Sequence, residues 1–275
     1  MNAALKKSHK TFDGLTQFWQ HDSASTGTPM QFSTFVPNGG ARGCVFFLAG
    51  LTCTPENFIT KAGAQKFLAQ HGLMVVCPDT SPRGLQLPRE HDDYDFGSGA
   101  GFYLDATTPG YADHYRMDRY VTDELYSLIQ EQFAVERISI MGHSMGGHGA
   151  LVLGLRSPGK FRSISAFAPI AHPSAVPWGQ KAFAGYLGED CASWAAYDAT
   201  ELVASGKRHP RQILVDQGTA DEFLETQLRP EDFSQACGKA GQPLSLRLRE
   251  GYDHSYYFIS TFVESHVAFH AAALR

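Results

Sequence analysis

The stretch from Arg137 to His148 constrains the fold of this chain more than any other. The alternating run Arg137-Ile138-Ser139-Ile140-Met141 leads directly into Gly142-His143-Ser144-Met145-Gly146, a G-x-S-x-G sequence. The helix-forming residues Ala150-Leu151-Val152-Leu153-Gly154-Leu155 follow. Taken alone, the five-residue motif describes a tight turn that happens to hold a serine. Between a strand and a helix it means more, because glycine two positions either side of the serine lets the two elements approach across a sharp turn. Ser144 then projects from that turn as the candidate nucleophile.

The rest of the chain supplies a matching frame. Its 275 residues, 43% hydrophobic and 19% charged, suffice for one large globular core. Apolar strand patterns at 15–21, 31–36, 44–48, 73–77, 137–141, 163–167, 212–216 and 244–249 alternate with helical ones at 56–70, 117–132, 145–155, 230–239 and 255–273. The first two strands are half-polar, as in an antiparallel edge hairpin. Those from Cys44 onward are nearly continuous apolar runs, the signature of parallel strands covered on both faces. The expectation is one α/β-hydrolase domain over residues 1–275, with a mostly parallel central sheet of about eight strands flanked by helices. Two excursions break the rhythm, at 79–115 and 171–202. Both leave the carboxyl end of a strand, where such sheets build their sites, so they are read as walls of a substrate pocket.

Composition excludes several partners. The net charge of −5 and the absence of a basic patch argue against nucleic acid. No apolar run is long enough to span a membrane, and the polar residues 1–22 resemble no signal peptide. Five cysteines form no C-x-x-C pair, which fits a reduced, cytoplasmic protein. The acidic run Asp92-Asp93-Tyr94-Asp95 lacks the spacing of a calcium loop, and Gly97-Ser98-Gly99-Ala100-Gly101 lacks the setting of a phosphate loop. No metal or other cofactor is expected.

A serine hydroxyl needs a base in hydrogen-bond reach and a third group to hold that base. In α/β-hydrolases these follow the nucleophile in the order acid, then histidine. His254, His266 and His270 satisfy that order. The last two stand four apart in the C-terminal helical pattern and read as a solvated helix face. His254, in Glu250-Gly251-Tyr252-Asp253-His254 between the last strand and the last helix, is the candidate base. Asp216, Asp221 and Glu222 compete as the acid. Asp221 is preferred because it lies beyond a glycine turn, whereas Asp216 ends its strand and Asp253 reads as a turn residue. The backbone N–H groups of Met145 and Leu51 are the candidate oxyanion hole, Leu51 belonging to the loop after the 44–48 strand.

The segments around these residues carry a closer likeness. Leu51-Thr52-Cys53-Thr54-Pro55-Glu56-Asn57-Phe58, Pro78–Gly84, Gly101–Thr107, Gly142–His148, Trp178–Phe183, Asp216-Gln217-Gly218 and Glu250–Phe258 resemble the S-formylglutathione hydrolases, the esterase D family. The resemblance implies hydrolysis of S-formylglutathione to glutathione and formate by a cytoplasmic homodimer. It also supports Ser144, Asp221 and His254 as a triad. Phe102, Tyr103, Trp178 and Tyr257 are bulky loop residues that would restrict the acyl group to formyl or acetyl if two or more lined its side. Each could equally serve loop packing. Cys53 is either a modifiable thiol near the nucleophile, as in similar proteins, or a small apolar filler.

Overall fold

In a computed structural model describing residues 2–275, nine strands form one sheet. They are β1 (Ala4–Thr11), β2 (Gly14–Asp22), β3 (Pro29–Pro37), β4 (Gly43–Leu48), β5 (Leu73–Pro78), β6 (Ile138–His143), β7 (Phe161–Phe167), β8 (Ile213–Gly218) and β9 (Leu244–Arg249). Their order is β1-β2-β3-β5-β4-β6-β7-β8-β9. β1, β2 and β3 pair antiparallel, β3 joins β5 antiparallel, and every pair from β5 to β9 is parallel. The apolar runs of β4, β5, β6 and β8 are buried along their whole length.

The extra strand is β1. Its sequence Ala-Leu-Lys-Lys-Ser-His-Lys-Thr has no apolar period because both of its faces meet solvent. Its lysines protect an edge that would otherwise recruit another strand. The 56–70 helix is interrupted: Glu56–Lys61 and Gln65–Gln70 are separate, with Gly63 at φ +66° between them. The 117–132 helix contains a π-helical stretch, Tyr120–Leu125, before Tyr126–Phe133.

The excursion at 171–202 is largely helical, contrary to its irregular appearance. Pro177 starts the helix Pro177–Leu187, whose buried face carries Trp178, Ala182, Phe183 and Tyr186. Gly179 and Gly185 mask that pattern in the sequence, and both are needed: a Cβ would lie 2.1 Å from the Pro173 carbonyl oxygen and 2.2 Å from the Phe96 ring. Tyr186 then joins the two excursions. Its hydroxyl accepts from Gly97 N–H at 2.8 Å and donates to the Ala100 carbonyl at 2.9 Å, while its ring stacks on Phe96.

His266 and His270 do not lie on a solvated face. Both are fully buried where the helix Tyr256–Ala273 crosses β7. Ser165 Oγ lies 2.9 Å from His266 Nδ1 and 2.8 Å from His270 Nε2, and Ser163 Oγ lies 2.7 Å from His270 Nδ1. The serines on β7 therefore pair three of the four ring nitrogens of imidazoles that burial holds neutral, while His266 Nε2 stands 3.7 Å from Asp216 Oδ2. His148 behaves alike. It is buried, bonds the Phe102 carbonyl at 3.0 Å, and burial lowers its pKa from the ordinary 6.5 to about 4.

Because folding depresses this pKa, the associated stability is complete above pH 6.5 and disappears as pH falls toward 4. At about 1.4 kcal/mol per pH unit over that window, His148 alone accounts for roughly 3 kcal/mol. Urea denaturation across the window should give a shallower acid loss for His148→Gln, which keeps a donor for Phe102, than for the unaltered chain. Identical pH slopes would remove His148 as a source of acid lability.

Candidate active site

Local sterics explain the turn at Ser144. A Cβ on Gly142 would lie 2.0 Å from the Gly146 carbonyl oxygen, and one on Gly146 would lie 2.0 Å from that of Leu48. Both positions therefore demand glycine. Ser144 adopts φ +57°, ψ −120°, which few non-glycine residues tolerate. Backbone bonds on either side hold it there: its N–H donates to Phe167 O at 3.0 Å, and its carbonyl accepts from His148 N–H at 2.9 Å and Ile170 N–H at 3.2 Å. Met145 is the first residue of the following helix, so its N–H has no intrahelical acceptor.

Asp221 and His254 approach from adjacent parallel strands. The loop after β8 carries Asp221, the loop after β9 carries His254, and Ala220 N–H donates to Tyr252 O at 3.0 Å between them. Gly218 permits the approach, since its Cβ would fall 2.2 Å from the same carbonyl oxygen. His254 Nδ1 donates to Asp221 Oδ2 at 2.6 Å. Gln217 Nε2 also donates to that oxygen, and Phe223 N–H donates to Oδ1 at 2.9 Å. A buried carboxylate with three donors holds a fixed orientation, and a donating Nδ1 leaves Nε2 as the basic nitrogen.

The competing acids have other duties. Asp216 accepts two bonds from Arg249, at 2.8 and 2.9 Å, and lies 3.7 Å from His266 Nε2. Burial raises its pKa, but His266 and Arg249 outweigh that effect and hold it below the usual carboxylate range. Asp253 receives Ser255 N–H and Oγ at the start of the last helix, a turn role.

Ser144 and His254 share a cavity of about 210 Å³. Leu51, Thr52 and Cys53 form one wall, with Gly50 packed so closely that its Cβ would be 3.2 Å from Ser144 Cβ. Tyr103 braces this loop by donating to Ala49 O at 2.9 Å. Cys53 reaches the cavity through its side of the loop, and its carbonyl is held by Thr80 Oγ1 at 2.7 Å and Arg83 Nη2 at 3.0 Å. Burial raises its thiol pKa, so the neutral form prevails.

Trp178 lines the cavity, but the three other bulky candidates do not: Tyr103 is fully buried behind the Ala49 loop, and Phe102 and Tyr257 lie elsewhere. Phe102 is wholly buried at φ +47°, packs against His148 and offers that residue its carbonyl. Tyr257 is 84% exposed; its neighbour Tyr256, about 100° around the helix, lines the cavity instead. Sequence reasoning also missed Tyr94, His143 and Phe223 as lining residues. The position of Phe223, two residues after Asp221, was an available signal. Tyr94 had none, because it belongs to an acidic loop without periodicity.

A family model described as "Putative esterase" matches residues 23–269. The S-formylglutathione hydrolase of Rattus norvegicus is 50% identical over 98% of this chain and 97% of its own length. The solved S-formylglutathione hydrolase of Agrobacterium tumefaciens is 45% identical, with full coverage of both chains and a TM-score of 0.96. The Staphylococcus aureus fluorophosphonate-binding serine hydrolase F, only 16% identical, covers 94% of this chain and 98% of its own at a TM-score of 0.74, a likeness of fold. The strand order, the serine turn and these likenesses agree: the chain belongs to the S-formylglutathione hydrolase family, esterases of the α/β-hydrolase fold.

Proposed function

We propose that the chain hydrolyses S-formylglutathione to glutathione and formate through a formyl-enzyme on Ser144. The observation that carries the mechanism is the 2.6 Å Asp221–His254 pair opening onto the same cavity as the strained serine turn. His254 Nε2 takes the Ser144 proton as Oγ attacks the formyl carbon. Asp221 keeps the imidazole in the tautomer that allows this and stabilises the imidazolium that forms. The N–H groups of Leu51 and Met145 receive the oxyanion. Collapse of the tetrahedral species expels the glutathione thiolate, a good leaving group. Water activated by His254 then attacks the formyl-enzyme, and formate leaves as Ser144 regains its proton.

The small cavity of about 210 Å³, lined in part by Tyr94, Trp178, Phe223 and Tyr256, supports a small acyl group, and the names of the rat and Agrobacterium relatives support the thioester. Its five free cysteines support the reading of a cytoplasmic protein. Among the described residues no helix is long and apolar enough to cross a membrane.

Comparing kcat/KM for S-formylglutathione with that for short p-nitrophenyl esters should favour the thioester. A preference for the esters would instead identify a broad carboxylesterase. Ser144→Ala should lose turnover by a factor approaching ~10⁶ without a change in melting temperature. Substantial residual turnover would exclude a serine acyl-enzyme. The two aspartates should separate cleanly. Asp221→Asn should reduce kcat by about 10⁴ with little effect on stability, whereas Asp216→Asn should cost about 1–3 kcal/mol of stability by weakening the partner of Arg249. The reverse pattern in paired kinetic and denaturation measurements would exchange their roles.

A further inference from the structure

Three consecutive residues, Asp93-Tyr94-Asp95, are tied to one face of the helix Pro177–Leu187 by two side chains three positions apart. Lys181 Nζ bonds Asp93 Oδ2 at 2.8 Å and also binds Asp95 Oδ1. Trp178 Nε1–H donates to the Tyr94 hydroxyl at 3.1 Å. The tied segment is neither strand nor helix, so side chains rather than a backbone ladder set its position. Tyr94 is 59% exposed and yet lines the cavity of Ser144, which places it at the mouth. Behind it the aromatic wall continues inward, from Trp178 to Phe223 at 4.7 Å and from Phe223 to His254 at 5.1 Å.

The cavity volume of about 210 Å³ is below the roughly 300–1,000 Å³ of clefts that enclose a drug-sized ligand. The formyl group and sulfur can occupy it, but the peptide portion of the thiol must leave through the mouth beside Tyr94. We propose that Tyr94 is a specificity-determining residue for the thiol portion of the substrate, and that Lys181 is its positioning residue, acting through Asp93 and Asp95. The proposal rests on the thioesterase reading above. It assigns Lys181 no contact with substrate: its ammonium is already engaged by two carboxylates, and its role is to hold a strap.

Opposite charge changes test this role. Lys181→Met removes a positive charge from the mouth, whereas Asp93→Asn combined with Asp95→Asn removes two negative ones. If Lys181 attracted the anionic thiol directly, the two changes would shift KM in opposite directions. As parts of one strap they should both raise KM for S-formylglutathione, by about three- to tenfold, with kcat within about twofold, the size expected for one lost aromatic contact. Tyr94→Ala should do the same. In the Tyr94→Ala background neither strap change should have a further effect. Turnover of p-nitrophenyl acetate, which has no peptide portion, should stay within about twofold in Lys181→Met and in the Asp93→Asn/Asp95→Asn double variant, reporting an intact triad. Opposite KM shifts, additive effects in the Tyr94→Ala background, or unchanged KM in Tyr94→Ala would each overturn the proposal. Absence of S-formylglutathione turnover in the unaltered protein would overturn the thioesterase reading itself, and this inference with it.

Discussion

The contact between Gly146 and the end of β4 is the constraint on which the site depends. With only 2.0 Å from an imagined Gly146 Cβ to Leu48 O, the helix Met145–Arg156 starts against the strand that leads into the Ala49–Cys53 loop. One close approach therefore sets the distance between the serine turn and the wall containing Leu51. Leu51 and Ser144, from segments almost a hundred residues apart, line the same cavity for that reason. The strain at Ser144, of order 1–3 kcal/mol for such a backbone, is borne by parallel pairing on both sides of β6 and by the bond to Phe167 O.

The elements most readable in the sequence are those whose physics is local or periodic. β4, β5, β6 and β8 are buried on both faces and appear as uninterrupted apolar runs. The G-x-S-x-G turn is readable because sterics allow only glycine at two of its positions. Asp221 and His254 follow from chain order, since each lies just beyond a strand that the apolar pattern identifies. β1 escapes because solvent on both faces erases alternation. Phe102 and Tyr257 escape for another reason. Whether a loop aromatic faces the cavity depends on one positive φ in the first case and on a 100° helical step in the second. Neither quantity has a sequence period.

The buried histidines show how a polar residue can be core without looking so. His266 and His270 occupy positions where an amphipathic pattern suggests solvent, yet β7 opposes them with Ser163 and Ser165 instead of two aliphatic residues. The polarity of β7 and the polarity of the last helix compensate each other. They look like exposure only when read one element at a time. Ser139 on β6 extends the chain, 2.8 Å from Ser163 Oγ, and His266 stacks on Phe167, whose carbonyl anchors Ser144. The network thus lies directly beneath the nucleophile and stiffens the strand that supports it.

Two kinds of anchoring meet at the cavity. Ser144, Asp221 and His254 are placed by backbone: a serine turn between parallel strands, and two loops linked by Ala220 N–H to Tyr252 O above the Arg249–Asp216 pair that joins β8 to β9. Tyr94 is placed by side chains, through one indole and one ammonium on a helix outside the sheet. Side-chain anchoring at a half-exposed mouth is weaker and more open to alteration than a sheet register. The reaction centre and the surface that meets the leaving group therefore rest on separate supports. On the proposed reading, leaving-group preference can vary through residues 93–95 and Lys181, which lie outside the Trp178–Phe223–His254 wall, without disturbing the bond-making atoms.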